Sequence, residues 1–508
     1  MKNKNPAKEH YQRLRVLSCE DLWATEMAAF DRATPDERAA GVAVVRAVGV
    51  VFSESGTDEQ KAMARRWLRQ LLHDSAEKVR RYAMTALPKL GADEAEETEL
   101  LGLLKETSSD REKKFLGRAL EKIGGEATLE SAAGGRLKQK VAANVARQRA
   151  RSVVRLDREL TDAADLRIRL RCRSGLERIL EDELHERSLS DARFRMVHSA
   201  PGVVTVAPAG VLRLADVYAL RCFGTAGIVL GSVDSPEDAG MEALARIIAS
   251  PDSQRVLAAF TEGPIRYRVE FVSKGHQRGA VRALTDRVFA LCPELLNDSR
   301  DAPWQVDVHH SGRRISAELA PRLRPDPRFA YRRRDVPAAS HPPLAACMAR
   351  LAGIADGDVV WDPFCGSGLE LIERARRGKV RQIIGTDLSA EAIAITGDNF
   401  ASAISEPLKT TFAVCDFRDH ASVEELRAGE VSLVITNPPL GRRVPIPNLR
   451  GLVEELFDAA IDVLRPGGRL VFANPLAVKP DGNLLKLEFR QRVDFGGFYC
   501  HLEKYVRR

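Results

Sequence analysis

Asn437-Pro438-Pro439-Leu440 follows an apolar run, Val431-Ser-Leu-Val-Ile-Thr436, that reads as a strand. The Asn437 side-chain carbonyl and the Pro438 backbone carbonyl are hydrogen-bond acceptors, and two prolines stiffen the loop that carries them. Such acceptors suit an exocyclic amine on a purine, a poor nucleophile because its lone pair is delocalised into the ring. Accepting from the N–H groups localises that pair, and a stiff loop favours near-attack geometry. Taken alone, the same residues also make a rigid strand-to-helix turn.

Three acidic residues stand at or near the ends of three earlier apolar runs. Asp358-Val-Val-Trp361 leads into Asp362-Pro363-Phe364-Cys365-Gly366-Ser367-Gly368 and then a predicted helix, Leu369 to Arg376. Gln382-Ile-Ile-Gly-Thr386 ends in Asp387, and Thr411-Phe-Ala-Val414 ends near Asp416-Phe417. A glycine turn between strand and helix brings a ligand close to backbone and to free N–H groups. Asp362 is expected to take an ammonium, Asp387 the hydroxyls of a ribose, and Asp416 an adenine amino group with Phe417 packed on its ring. This order suits S-adenosylmethionine, with the helix N-terminus facing the methionyl carboxylate. A nicotinamide dinucleotide would call for G-x-G-x-x-G, and Gly366-Ser-Gly-Leu-Glu-Leu371 lacks the last glycine. The expected cofactor-binding set is Asp362, Phe364, Gly366, Gly368, Asp387, Asp416, Phe417 and Asn437. The expected catalytic set is Asn437, Pro438, Pro439 and Leu440, and no metal is expected.

These residues need a parallel α/β sheet to position them, and from about residue 326 strands alternate with helices as such a sheet requires. Leu464-Arg-Pro-Gly-Gly468 and Leu470-Val-Phe-Ala473 supply a turn and a fifth strand. Upstream, residues 161–325 read as α+β. Leu166–Cys172 alternates apolar and basic, Ser174-Gly175 opens a helix over Leu176–Leu184, and Val203–Ala207 and Ile265–Val272 are further strands. A helix over Ala280–Leu291 precedes a hairpin, Trp304–His310 and Arg313–Leu319, with Ser311-Gly312 at its turn. Residues 1–130 read as helical. There Arg80-Arg81-Tyr82 with Ala86–Gly91 recurs 33 residues later as Lys113-Lys114-Phe115 with Ala119–Gly124, and a fainter copy ends at Val44–Gly49. Such spacing resembles HEAT-type repeats, whose units bury their apolar faces on one another.

Two basic stretches flank the α+β part. Residues 131–160 form a linker helix carrying Arg136, Lys138, Lys140, Arg147, Arg149 and Arg151. Arg322, Arg324, Arg328 and Arg332-Arg333-Arg334, broken by three prolines, read as an extended linker. Each is either solvated or a phosphate-contacting arm. The net charge of +7 over 508 residues leans toward a polyanion partner. The eight cysteines include no C-x-x-C pair, which argues against a zinc ribbon or a disulfide scaffold and suits a reducing, cytoplasmic setting. Residues 1–13 are polar, so no signal peptide is expected, and no apolar run is long enough for a membrane span.

Asp362-Pro-Phe-Cys-Gly-Ser-Gly368 with Asn437-Pro-Pro-Leu440 resembles the amino-group methyltransferases of adenine N6 and guanine N2. Residues 329–351, with His341-Pro-Pro-Leu344, are similar to the THUMP-domain RNA guanine-N2 methyltransferases, as is the upstream order of a ferredoxin-like segment near Leu166–Gly231 and a THUMP-like one near Met241–Leu319. The resemblance covers Leu166 to the C-terminus. It implies methylation of guanosine N2 in tRNA or rRNA, a flipped or unpaired target base, and a THUMP module that binds RNA. Arg147, Arg149, Arg151, Arg332, Arg333, Arg334, Arg442 and Arg443 are the expected RNA contacts, and the helical repeats are a place for a protein partner. One departure stands out: the family usually has an aromatic residue after the second proline, to stack on the base, and here it is Leu440. Two other readings stay open, an N6-adenine methyltransferase and a non-catalytic RNA-binding protein that keeps the fold.

Overall fold

The computed structural model describes all residues except 1–5, 92–93, 133, 235–236, 273–276, 338, 427–428 and 442–445. The chain forms two compact units, each discontinuous in sequence. One comprises Met1–Val153 and Ser232–Ala317, the other Val154–Gly231 and Glu318–Arg508.

The first unit begins with helices, as its alanine- and leucine-rich sequence predicts. Thr57 caps Asp58–Leu71 and Ser109 caps Asp110–Ile123, each accepting from a backbone N–H in the first turn. The apolar faces of these helices share one core, including Val45, Phe52, Leu68, Leu87, Leu100 and Leu120. Gly49 sits so close to Ala86 that a Cβ there would come within 2.7 Å of the alanine methyl. The basic helix, Gly135–Arg149, is not a solvated linker. Gln139 Nε2 donates to the Thr285 carbonyl at 2.8 Å, Lys140 Nζ to Asn297 Oδ1 at 2.8 Å, and Arg147 pairs with buried Asp298 at 2.9 Å. These bonds tie the helix to the Ser232–Ala317 segment. That segment holds the expected strand, Arg266–Phe271, in parallel register with Leu296–Asn297 and Trp304–Ser311, and the predicted hairpin turns at Gly312 with φ of 60°.

The second unit splits the expected 161–325 region. Its upstream part is an antiparallel layer in which Ile168–Arg171 pairs with Val203–Pro208 on one side and Thr225–Asp234 on the other. This layer packs onto the C-terminal part of the chain because specific bonds tie it there. Asp494 N donates to the Ser174 carbonyl at 2.9 Å, and Arg221 holds Glu373 through two bonds of 2.6 and 2.7 Å.

The C-terminal layer is a seven-stranded sheet: β1 (Asp358–Asp362), β2 (Val380–Asp387), β3 (Lys409–Val414), β4 (Val431–Thr436), β5 (Leu464–Asn474), β6 (Leu485–Asp494) and β7 (Tyr499–Arg507), in the order β3-β2-β1-β4-β5-β7-β6. The first five are parallel, and β7 runs antiparallel between β5 and β6. Helices α1 (Pro342–Ala352), α2 (Leu369–Ala375), α3 (Ala390–Ala403) and α4 (Leu449–Val463) accompany the sheet. Strands β1 and β4 are buried throughout, as expected of central parallel strands. At the start of β1 Asp358 accepts from Ser432 Oγ of β4 at 2.6 Å and from the guanidinium groups of Arg374 and Arg469. These partners hold the Asp358 carboxyl below its usual range against the opposing effect of burial.

The second basic stretch is packed at Arg328, while Arg324, Arg333 and Arg334 are exposed. Arg328 has a side chain 1 % exposed. It donates to the carbonyls of Phe223 and Gly224 at 2.7 and 3.0 Å, pairs with Asp326, and lies 3.9 Å over the Phe223 ring. Tyr331 donates its hydroxyl to Glu373 at 2.5 Å.

Candidate active site

Parallel register puts the chemistry at one edge. Asp362 pairs with Gly385 and Trp361 with Val434, so the loops after β1, β2 and β4 leave the sheet side by side. Ligands of open α/β sheets bind at this carboxyl edge. A cavity of about 710 Å3 lies there in the second unit, walled by Phe364 and Gly366 of the glycine turn, by Asp387, by Asp416 and Phe417, and by Asn437 through Leu440.

Gly366 and Gly368 have φ of 54° and 81°, a left-handed backbone that other residues adopt at a cost. Asp387 clamps the turn: its Oδ2 accepts from Gly366 N at 3.0 Å and its Oδ1 from Ser389 N at 2.9 Å. Phe364 and Phe417 bring their rings to 4.9 Å, giving the cavity an apolar wall. Asp416 accepts from Arg418 N at 3.0 Å and pairs with the Arg418 guanidinium at 3.1 Å.

Asp362 departs from its expected place. It is fully buried, does not line the cavity, and accepts from Phe364 N at 3.0 Å. Burial first, then the Glu370 carboxyl, raises its pKa well above the usual carboxylate range. It shapes the turn from below, and Gly368 likewise sits behind the wall, against Thr396.

The remaining expected contacts scatter. Arg147, Arg149 and Arg151 belong to the other unit, where Arg147 is taken up by Asp298 and Arg149 by Glu126. Arg332 lines the cavity and pairs with Asp335. Arg333 and Arg334 are exposed, and Arg334 pairs with Asp398 at 3.2 Å. Arg442 and Arg443 lie outside the described residues.

Several wall residues escaped the sequence reading. Ser340 and His341 precede α1, Glu370 sits in the first turn of α2, Arg173 comes from the upstream layer, and Phe495 and Phe498 stand at the β6–β7 turn. No local pattern marks them; only the His341-Pro-Pro-Leu344 resemblance pointed near the first two. Partial burial, then Arg173 and Arg332, press the His341 imidazole down to about 4, so the ring is neutral at physiological pH. Asn437 Nδ2 donates to Ser340 Oγ at 2.8 Å, while Asn437 Oδ1 is buried and has no partner. An acceptor left unmet in this way is costly unless a ligand meets it. Among the described residues no cluster of His, Cys, Asp and Glu is arranged to hold a metal ion, and no helix is long and apolar enough to cross a membrane.

Residues 330–481 match the UPF0020 family, described as RMKL-like, methyltransferase domain. The chain is similar to the tRNA (guanine(10)-N2)-dimethyltransferase of Methanothermobacter thermautotrophicus, 31 % identical over 188 residues, which are 36 % of this chain and 49 % of that one. It is also 31 % identical over 145 residues to a probable tRNA (guanine(10)-N2)-dimethyltransferase of Methanothermococcus thermolithotrophicus, covering 28 % of this chain and 86 % of that one. The chain thus spans about half the length of the first relative and most of the second. Among solved structures, TrmN from Thermus thermophilus aligns with a TM-score of 0.52 at 22 % identity over 68 % of this chain and 100 % of its own. SMU.472, complexed with SAH, aligns with a TM-score of 0.50 at 14 % identity over 69 % of this chain and 99 % of its own. At such identities the likeness establishes the methyltransferase-like α/β fold.

Proposed function

We propose, from the premise that this chain belongs to the UPF0020 family of methyltransferase domains, that it is an RNA methyltransferase acting on the exocyclic N2 of a guanosine in tRNA or rRNA with S-adenosylmethionine as donor. The observation that carries the reading is Asn437, whose buried Oδ1 has no hydrogen-bond partner, among the residues that line a cavity edged by Asp387 and Asp416. The choice of base follows the two relatives, which are named for guanine N2 of tRNA.

The residues present fit the cofactor. Asp387 stands at a strand end where a carboxylate takes ribose hydroxyls, and Phe364 and Phe417 give an adenine ring an apolar face. Asp416 is the acceptor for an adenine amine. Arg332 and the backbone of the glycine turn supply donors for a carboxylate. The cavity is of the size that holds ligands of this class. When bound, S-adenosylmethionine supplies an electrophilic methyl group.

The protein's own part is orientation. Asn437 Oδ1 and the Pro438 carbonyl accept from the guanine amine and localise its lone pair toward the methyl group. The prolines hold both acceptors still. Leu440, Phe495 and Phe498 keep the target ring's surroundings apolar.

On this reading residues 1–130 are a HEAT-like domain offering its helices to a protein partner, and residues 131–160 a basic helix beside it. Residues 161–325 hold ferredoxin-like and THUMP-like RNA-binding parts, divided between the two compact units, and 326–508 the methyltransferase domain. Eight free thiols suit a cytoplasmic setting.

The test is to incubate the protein with labelled S-adenosylmethionine and separate pools of unmodified tRNA, unmodified rRNA and DNA, then identify the modified nucleoside. N2-methylguanosine in one RNA pool upholds the reading. Methylated adenine in DNA alone replaces it with the N6 reading. No product in any pool, with cofactor binding intact, leaves a binding protein that keeps the fold.

A further inference from the structure

Asn437 can perform its role only if its amide points the right way. Its two ends are nearly equal in shape and opposite in polarity, so something must decide which one meets the amine. The deciding group is Ser340. Its hydroxyl has one proton, and that proton is donated to Glu370 Oε1. Toward Asn437 the hydroxyl can therefore only accept, which selects Nδ2, bound at 2.8 Å, and leaves Oδ1 facing away with no partner. Glu370 is 3 % exposed and lines the same cavity. It sits on α2 and Ser340 on the segment before α1, so the two are joined only by folding.

We propose that Ser340 and Glu370 form a relay that sets the polarity of the Asn437 amide, and that protonating Glu370 reverses it. With Glu370 ionised, the Ser340 proton points to the carboxylate and Asn437 presents its carbonyl to the amine. With Glu370 protonated, the acid donates to Ser340, the hydroxyl proton turns toward Asn437, and the amide flips to present Nδ2, a donor facing a donor. The relay rests on the reading of Asn437 as the amine acceptor. Ser340 and Glu370 are positioning residues.

Glu370 is set among groups that make its charge sensitive. Glu373, one turn on along α2 and bonded to Arg221, raises the Glu370 pKa, while Glu370 and Asp387, at the end of β2, both raise that of Asp362 at the end of β1. Arg173, Arg332 and His341 face the same cavity. Burial raises the Glu370 pKa, and the Ser340 bond opposes that rise. Burial first, then the charge of Glu370, raises the Asp362 pKa as well.

Two readouts test the relay. In turnover on the RNA pool that wild type methylates, Ser340→Ala should lower kcat about tenfold, the scale of one lost orienting hydrogen bond, with the Kd for S-adenosylmethionine little changed. Ser340→Thr, which keeps a hydroxyl, should recover most of the loss. The acid limb of the kcat–pH profile should disappear in Glu370→Gln. The second readout needs no turnover: in full-length protein labelled with 15N-asparagine, the Asn437 side-chain NH2 signal, identified by its loss in Asn437→Asp, should shift with pH in wild type and not in Glu370→Gln, and should move in Ser340→Ala. Wild-type kcat in Ser340→Ala, or an Asn437 signal indifferent to both variants, overturns the relay. A wild type without turnover but with the expected Asn437 titration strikes the functional reading and leaves the relay standing.

Discussion

At the scale of the residue, Asn437 Oδ1 is an acceptor without a competing donor, whereas Asp387 and Asp416 already accept from backbone N–H groups. Asn437→Ala removes the side-chain acceptor while leaving the Asp387 clamp untouched. Loss of one preorganised hydrogen-bonding group at a reacting centre costs on the order of 10²–10³ in kcat. Turnover is expected to fall by that factor with cofactor affinity retained, as single-turnover kinetics and calorimetry would show; near-normal turnover would remove Asn437 from the chemistry. Leu440 is the complementary case. It lines the cavity but offers no ring, and base stacking on an aromatic contributes about 1–3 kcal/mol. Leu440→Tyr should tighten binding of the substrate RNA by about fivefold or more. Unchanged affinity in a filter-binding titration would mean that the target base does not lie against this residue.

At the scale of the element, the strap from Asp326 to His341 matters most. It carries Arg332, Ser340 and His341 to the cavity wall, and Arg328 and Tyr331 pin it. Arg328 bonds to backbone carbonyls and Asp326 in a buried setting, so Arg328→Ala leaves those carbonyls without donors. Breaking such a buried network costs about 3–5 kcal/mol. The melting temperature of the full chain should drop by several degrees, and cofactor affinity should weaken with it because the strap loosens. Equal melting of variant and wild type would show that the pin is dispensable. Much of this element's neighbourhood was hidden in the sequence. Arg328 looks like one more arginine in a proline-broken run, and its burial depends on Phe223 and Gly224, more than a hundred residues upstream. By contrast the strand-turn-helix around Gly366 was legible, because its backbone geometry demands glycine and its partners are close in sequence.

At the scale of the whole molecule, the proposed function makes RNA binding strongly electrostatic. The net charge is +7, and Arg333 and Arg334 stand exposed on the strap that borders the cavity. Each lysine or arginine that neutralises a phosphate steepens the fall of affinity with salt. Replacing Arg333 and Arg334 together by alanine should reduce the slope of log K against log salt by about one per lost contact. A slope equal to that of wild type would place the phosphate backbone elsewhere. Arg147 is a poorer candidate than Arg149, since it is largely covered and held by the buried Asp298 whereas Arg149 and its partner Glu126 are exposed.

Local patterning along the chain was enough for the parallel sheet, the order of its strand ends and the acceptor loop, since each depends on residues within one strand-turn-helix. It also located the hairpin at Gly312 and the helical character of the N-terminal part. The folded chain alone assigns residues 154–231 to the unit that holds the C-terminal sheet and 232–317 to the unit that holds the N-terminal helices, keeps Asp362 off the cavity wall, and sets which end of the Asn437 amide Ser340 holds. The physical reason is the same in each case. A strand end is written in neighbouring residues, but burial and the polarity of a hydrogen bond depend on partners that the fold brings in from distant parts of the chain.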